Sequence, residues 1–588
     1  MPRIRLALGQ TNPVVGDLAG NSAQIFAAAH RASAQGADLL AVGEMAISGY
    51  PIEDLASRPS FLVQCHDAVV ALAKQLQDAG HGDLAVIVGH PDGPFEPRLL
   101  GTSSAPTAIA QNCASVLQHG HIVARYAKHH LPNYSVFDEY RIFIPGDELL
   151  VLRIRGVDVA VIVCEDLWRD GGPVARVLEA DAGLLVVINA SPFERDKDEV
   201  RLPLVTRRAV ETNTTVAYVN IIGGQDDLVF DGDSVVVDGT GTILARAPQF
   251  VEHLLVVDLE VAAVKDLSDA TIVTGATVAT LPRNITRVTL VDGPEEKPPL
   301  QADLATLPDD REQVWNALVL GLGDYVRKNG FRSVILGLSG GIDSAVCASI
   351  AADALGADRV WGVSMPSRYS SDHSRSDADD LADNIGLHYS TEAIADLVLP
   401  IETQLKLTGT AAENVQARIR GVILMGLSNL DGHLVLTTGN KSELSVGYST
   451  IYGDSVGGFA PIKDVPKMLT WELARWRNEA AIARGEVPPI PANSIEKPPS
   501  AELRPDQTDQ DSLPPYEILD AILDAYITRA LGREDVIALG FDTETVDFVT
   551  NLVDHSEWKR RQGAIGPKIS GMAFGRDRRL PITYRPSR

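Results

Sequence analysis

Cysteine is scarce: Cys65, Cys113, Cys164 and Cys347 are widely spaced, with no CxxC pair among 588 residues. This excludes a disulfide framework and a structural zinc site, and leaves each thiol to be judged by its surroundings. Apolar runs of membrane-spanning length are missing, and Met1-Pro2-Arg3-Ile4-Arg5-Leu6 leads directly into an alternating strand. The expectation is a soluble protein with no membrane partner, working in the cytoplasm. Positive charge is in deficit, with 52 Lys and Arg against 78 Asp and Glu, a formal net charge of −26. Such a surface repels a phosphate backbone and argues against a nucleic-acid partner. One local basic group, Lys559-Arg560-Arg561 with Arg576 to Arg579, reads either as a solvated face or as a small site for an anionic metabolite. Internal repeats are also lacking, so two dissimilar halves imply two chemistries.

What is present is an ordinary globular composition, 45% hydrophobic and 22% charged, on a chain too long for one core. Short β-like runs (Ile4–Gly9, Leu39–Gly43, Leu84–Gly89, Val157–Val163, Gly183–Ile188, Val216–Ile221) alternate with helix-like stretches such as Asn21–Gln35 and Glu199–Thr212. That is an α/β pattern, with hairpin signals at His119-Gly120 and at Asp238 to Gly241. Asp292 to Asp310, rich in Pro and acidic residues, reads as a linker. The division expected is a first domain over 1–285, a linker over 286–310 and a second domain over 311–588. In the second, strands Val334–Leu338, Val360–Met365 and Leu434–Thr437 alternate with helices, as in a doubly wound parallel sheet. Residues 487–515 carry eight prolines and form either a disordered insert or a lid, the lid being favoured because loops of such length are usually functional.

Ser339-Gly340-Gly341-Ile342-Asp343-Ser344 lies between the apolar run Val334–Leu338 and the helix-like Ala345–Leu355. A strand, tight loop and helix start of this kind cradle phosphate: glycines admit the ligand to the backbone, helix-start N–H groups point at it, and the hydroxyls of Ser339 and Ser344 add donors. Asp343 beside an anion implies an intervening divalent cation, Mg2+. No Lys-Ser or Lys-Thr pair closes the loop, which excludes the Walker pattern. The segment resembles instead the pyrophosphate loop of enzymes that cleave ATP between its α and β phosphates.

In the first half, Cys164 follows strand Val157–Val163, Glu44 follows Leu39–Gly43, and Lys128 follows the hairpin arm Ile122–Ala127. A lone cysteine is more often a small buried hydrophobe than a nucleophile, and a Glu–Lys couple more often a structural ion pair. The motif order goes further. Gly43-Glu44-Met45 with Ser48-Gly49-Tyr50-Pro51, then Tyr126 to Pro132, then Phe137-Asp138-Glu139-Tyr140-Arg141, then Val163-Cys164-Glu165-Asp166 resemble the nitrilase superfamily over about the first 260 residues. The resemblance implies an α-β-β-α sandwich and an amide-cleaving triad: Cys164 as nucleophile, Glu44 as general base and acid, Lys128 at the oxyanion, with Glu139 orienting Lys128. The nearby cation is expected to favour the thiolate, and the N–H of Glu165 to complete the oxyanion hole. By resemblance to glutaminase members, Tyr134, Ser191, Phe193 and Arg195 would hold L-glutamine, Arg195 at its carboxylate.

Further motifs, Glu413-Asn414-Val415-Gln416-Ala417-Arg418-Ile419-Arg420, Leu436 to Glu443 and Tyr452-Gly453-Asp454, extend the likeness over nearly the whole chain. The sequence is similar to the glutamine-dependent NAD synthetase family. The resemblance implies a C-terminal domain of the adenine nucleotide α-hydrolase type and a ligase reaction. Ammonia from glutamine would pass by a tunnel to deamido-NAD+, whose carboxylate ATP has adenylated, giving NAD+ as product. Carried over by position, Gly337, Leu338, Ser339, Gly340, Gly341, Ile342, Asp343, Ser344 and Thr438 would contact ATP, with Lys467 and Ser500 as further contacts. Asp343 and Glu443 would hold Mg2+, and Asn414, Arg418, Glu443 and Lys559 would face deamido-NAD+. Ammonia-only members carry a lysine near Ile451 and an aspartate near Gly458, and this chain departs from both. A homo-oligomer, dimer or larger, is also implied. The alternatives are another acceptor, as in GMP or asparagine synthesis, or an amidase with a nucleotide-sensing module.

Overall fold

The structure, a computed structural model, describes residues 2–99, 107–264, 271–273, 276–281, 284–293, 297, 300, 302–505 and 507–584. The chain divides into two compact units, one of residues 1–225 and 230–308, the other of 226–229 and 309–588.

The first unit contains a six-stranded and a nine-stranded sheet. In the first sheet Arg3–Gln10, Leu39–Val42 and Ala85–Asp92 run parallel, and the His119-Gly120 turn joins the antiparallel Gln111–Gln118 and His121–Ala127. The second centres on the parallel Val157–Val163, Leu184–Asn189 and Thr215–Asn220, all buried. Runs apolar on both faces demand cover on both faces. The sheets supply one side for each other, through a core that includes Leu6, Leu8, Ile87, Val159, Val161 and Val186. Helices supply the other. Leu18–Ala34 is capped by Asp17, whose carboxylate accepts from the Gly20 N–H at 2.9 Å, and buries Ile25, Ala28, Ala29 and Ala32 at helical spacing. Pro59–Asp78 packs beside it, while Gly172–Ala180 and Asp198–Thr212 cover the second sheet. This is the expected α-β-β-α sandwich.

The boundary differs from the expected one. Ile285–Thr289 pairs in parallel with Leu149–Ile154 as part of the nine-stranded sheet, so the chain from residue 286 continues the first unit. Beyond it Val291 N–H donates to Gln118, Leu300 N–H to Asp258, and the Arg155 N–H to Asp292 at 2.6 Å. In its described residues the stretch that reads as a linker is held along the first unit by these bonds, made by its backbone N–H groups at Val291 and Leu300 and by the Asp292 carboxylate.

In the second unit four parallel strands lie in the order His388–Thr391, Val360–Ser364, Val334–Gly337, Leu434–Val435. Strand order reverses at Val334–Gly337, which opens a crevice at the strands' carboxyl ends. Helices Ile342–Leu355, Asp372–Ile385 and Thr410–Asp431 flank the sheet. A helical cluster of Lys467–Ala483, Tyr516–Leu523 and Thr543–His555 closes over Leu519, Ile522, Val546, Val549 and Val553. Arg560, Arg561 and Arg578 of the basic group converge on buried Glu557; Arg560 and Arg578 are largely internal, while Arg561 stays exposed.

Among the described residues no helix is long and apolar enough to cross a membrane. His90 is buried in Ala85–Asp92, one ring nitrogen against the Pro91 carbonyl at 3.0 Å and the other 2.7 Å from Ser115 Oγ. Burial depresses its basicity from 6.5 to about 4. Between these values the unfolded chain binds the extra proton, so stability present above pH 6.5 is lost as pH falls through about 4, by up to about 3 kcal/mol. Denaturant midpoints of the wild type should fall over this window, and His90→Gln should flatten that part of the profile.

Candidate active sites

Glu44, Lys128, Glu139 and Cys164 come together at the strand ends of the first unit. Glu44 is placed by a backbone that passes close to the next strand: a Cβ on Gly89 would lie 2.5 Å from both Gly43 O and Met45 N. Its Oε1 accepts from Lys128 Nζ at 2.8 Å and Asn112 Nδ2 at 2.6 Å, and its Oε2 from the Ala190 N–H at 3.0 Å. Lys128 also donates to Glu139 Oε1 at 2.9 Å, an oxygen shared with Tyr50 OH at 2.9 Å. The three charged groups are essentially inaccessible to solvent. Burial disfavours the Lys128 ammonium, but Glu139 and Glu44 outweigh it and hold its basicity well above the ordinary value. Glu139 is pushed up to about 7, burial and Glu44 prevailing over Lys128.

Cys164 closes strand Val157–Val163 with φ +46° and opens the helical turn Glu165–Trp168, a sharp strand-to-helix bend at which the thiol itself stays buried. As the first residue of that turn, Glu165 has an N–H with no intrahelical acceptor, suited to an oxyanion. The thiol is not the resting thiolate that the neighbouring cation suggests. Burial, then Glu44, push it well above its ordinary value, and Lys128 only partly offsets them. A protonated thiol makes an adjacent carboxylate necessary as base.

Sequence reasoning missed three supports. Asn112 fixes Glu44, Tyr50 fixes Glu139, and Asp166 binds Tyr126 OH at 2.7 Å and the N–H groups of His129 and His130 at 3.2 and 2.7 Å. Asp166 thereby ties the segment after Lys128 to the turn carrying Cys164. Its place within the cysteine motif was the available signal. Of the residues assigned to glutamine, Ser191 and Phe193 are buried, Phe193 against Phe250, while Tyr134 is 45% exposed and donates to Glu165 at 2.8 Å. Arg195 is exposed.

In the second unit a cavity of about 330 Å³ lies at the strands' carboxyl ends. Gly337, Leu338, Ser339, Gly341, Ile342, Asp343, Ser344, Thr438, Glu443, Lys467 and Ser500 line it. Ser339 Oγ accepts from the Gly341 N–H at 3.2 Å and lies 3.2 Å from Ser344 Oγ, so the loop's own hydroxyls help to hold its shape. Gly340 has φ +75°, and a Cβ there would fall 2.2 Å from Ser374 O. The 487–515 segment is folded in its described part. Ser494 Oγ donates to Gly340 O at 2.9 Å, Glu502 accepts from the hydroxyls of Ser371 and Ser374 at 2.9 and 2.7 Å, and Ser500 Oγ accepts from the Glu502 N–H at 3.1 Å.

Asp343 and Glu443 converge on one ammonium, Lys467 Nζ, at 2.5 and 3.3 Å. Among the described residues no group of three or more metal-ligating side chains is assembled. Two convergent carboxylates beside a phosphate loop fit Mg2+, which takes one or two carboxylates and completes its shell with water and substrate phosphate. Asn440 donates to Asp343 Oδ1 at 2.9 Å and forms a reciprocal cap with Glu443, a spacing legible in Asn440-Lys441-Ser442-Glu443 but not used. Asn414, Arg418 and Lys559 are not among the cavity-lining residues. Asn414 accepts from Thr450 Oγ1 at 2.7 Å and Lys559 donates to Gly447 O and Ser449 O at 2.7 and 2.9 Å, bracing the wall formed by Ser449 and Thr450. Arg418 is exposed and donates to Ile451 O at 3.2 Å. The sequence reading did not assign Arg420, which lines the cavity and donates to Met365 O at 3.0 Å.

A thiol, lysine and carboxylate centre and a phosphate loop in one chain define a carbon–nitrogen hydrolase joined to a nucleotide-dependent ligase. Residues 5–268 match the carbon-nitrogen hydrolase family, and residues 314–563 match NAD synthase. The chain is 44% identical to the glutamine-dependent NAD(+) synthetase of Xanthomonas campestris pv. campestris (strain 8004), over 99% of this chain and 97% of that one. It is 42% identical to that of Thermotoga maritima, over 100% and 99%. The solved glutamine-dependent NAD+ synthetase of Acinetobacter baumannii, in complex with ADP, superposes with a TM-score of 0.72 at 37% identity, over 99% and 98% of the two chains. The chain belongs to the glutamine-dependent NAD(+) synthetase family.

Asp166→Asn keeps the size of the side chain but turns an acceptor of several bonds into a partial donor facing backbone N–H groups. The expected cost is about 1–3 kcal/mol, read as a lower denaturant midpoint of the first transition.

Proposed function

We propose that the chain makes NAD+ from deamido-NAD+, ATP and L-glutamine, a carbon–nitrogen ligase using glutamine as amide donor. The observation that carries this is the buried Lys128 ammonium bound by Glu44 and Glu139 beside Cys164, in one chain with the Ser339–Ser344 loop. Cys164 Sγ attacks the glutamine amide carbon while Glu44 takes the thiol proton and returns it to the leaving ammonia. Lys128 and the Glu165 N–H hold the oxyanion, and Glu139 keeps Lys128 charged and in place. Water, deprotonated by Glu44, then splits the thioester and releases glutamate. Tyr134, Ser191, Phe193 and Arg195 remain the proposed glutamine contacts.

In the second unit the deamido-NAD+ carboxylate attacks the α-phosphorus of ATP, and pyrophosphate leaves into the Ser339–Ser344 loop, where N–H groups and hydroxyls receive it. Ammonia then attacks the acyl carbon and AMP departs. Thr438, Lys467 and Ser500 are the further ATP contacts proposed. Asn414, Arg418, Glu443 and Lys559 serve deamido-NAD+, Arg418 and Lys559 from the periphery of the cavity. Mg2+, held by Asp343 and Glu443, would neutralise phosphate charge when bound. The 487–515 segment acts as the lid. Ammonia free in neutral water is mostly ammonium, without a lone pair, so a sheltered tunnel between the sites belongs to the proposal. So do a cytoplasmic location and a homo-oligomer.

Cys164→Ala should lower glutamine-driven NAD+ formation by about 10³-fold or more, while ammonium chloride still supports it. Loss of both activities in a folded variant counts against separate sites. Xanthosine monophosphate and aspartate, offered in place of deamido-NAD+, should yield no amidated product.

A further inference from the structure

Lys467 begins helix Lys467–Ala483, and its side chain is 1% exposed. Its Nζ lies 2.5 Å from Asp343 Oδ2 and 3.3 Å from Glu443 Oε1, with the ring centroids of Tyr516 and Trp471 at 5.3 and 5.8 Å. A third carboxylate, Asp509, is buried nearby, fixed by Tyr516 OH at 2.8 Å. The other oxygen of Asp343 is taken by Asn440. The two carboxylates assigned to Mg2+ are therefore already bridged by a cation belonging to the protein. Mg2+ needs its oxygens at about 2.0–2.1 Å in near-octahedral array, and an ammonium hydrogen-bonded to the same oxygens stands in its way.

We infer that Lys467 is a resident surrogate cation: it holds Asp343 and Glu443 in place without nucleotide, excludes a free divalent ion, and yields the site only when ATP phosphates offer it a new partner. The lysine is then a determinant of binding order, making metal entry conditional on nucleotide. The charge balance supports this. Removing the ammonium alone leaves two part-buried carboxylates uncompensated, whereas metal and polyphosphate arriving together supply a cation for the carboxylates and an anion for the lysine. The inference rests on the reading of Asp343 and Glu443 as the metal-bearing carboxylates.

The test uses the full chain and Mn2+ as probe, with bound metal read by electron paramagnetic resonance. Without nucleotide, Lys467→Met should bind Mn2+ about tenfold or more tightly than the wild type, the gain of removing a competing charge at contact distance. Lys467→Arg should stay as weak as the wild type, and adding Asp343→Asn to the Met variant should erase the gain. The thermal midpoint of Lys467→Met should rise on adding Mg2+, with little change in the wild type. Equal nucleotide-free Mn2+ affinity in wild type and Lys467→Met overturns the inference. So does a Met and a Gln variant that both stay unfolded at every Mg2+ concentration, since metal should replace the ammonium. If the wild type binds no Mn2+ beyond that carried by a non-hydrolysable α,β-methylene ATP, and Asp343→Asn changes nothing, the metal-ligand assignment itself is what fails.

Discussion

Each unit depends on a lysine ammonium buried between two carboxylates at the carboxyl ends of its strands. Lys128 lies between Glu44 and Glu139, and Lys467 between Asp343 and Glu443. A buried charge is tolerated only where partners satisfy it, and the partners must then be held as rigidly as the charge. In the first unit this is why Asn112, the Ala190 N–H and Tyr50 surround the pair. The triple also sets the state of the thiol. Burial, with two anions near Cys164, outweighs the pull of one cation, so the sulfur rests protonated and becomes nucleophilic only as Glu44 takes its proton.

The α/β class was legible because burial on two faces writes itself as unbroken apolar runs, and Val157–Val163 was read to the residue. Most strand ends were legible within a residue or two, Leu84–Gly89 falling three residues short of Asp92, and those that carry Glu44, Lys128 and Cys164 were among the well-placed ones. The limit of the first unit was not. Ile285–Thr289 is a short strand whose partner, Leu149–Ile154, lies far back in sequence, and local composition holds no trace of such a pairing. The stretch beyond it looks like a free connector because the partners of its described residues, Gln118, Arg155 and Asp258, lie far away in sequence, where composition does not record them.

The sites show the same division. Residues that react were visible through type and motif order, and so was Glu139 as the partner that orients Lys128, whereas Asn112, Tyr50, Asp166 and Asn440 were not, because they act through contacts across long intervals. Arg578, in a basic group that reads either as a solvated face or as an anion site, is instead largely internal. Its partner, Glu557, is a single buried carboxylate that a count of basic residues overlooks. Lys128 does favour the thiolate as the sequence implies, but burial outweighs it, because a sequence shows which charges are near and not how dry the pocket is.

The backbone of Gly340 lies against the carbonyl of Ser374 with no room for even a methyl group. The phosphate loop and the start of helix Asp372–Ile385 are thus two halves of one mould. Neither can drift in shape without the other, so a family tree of such chains should show changes flanking one segment matched by changes in its distant counterpart, while the glycine itself stays put.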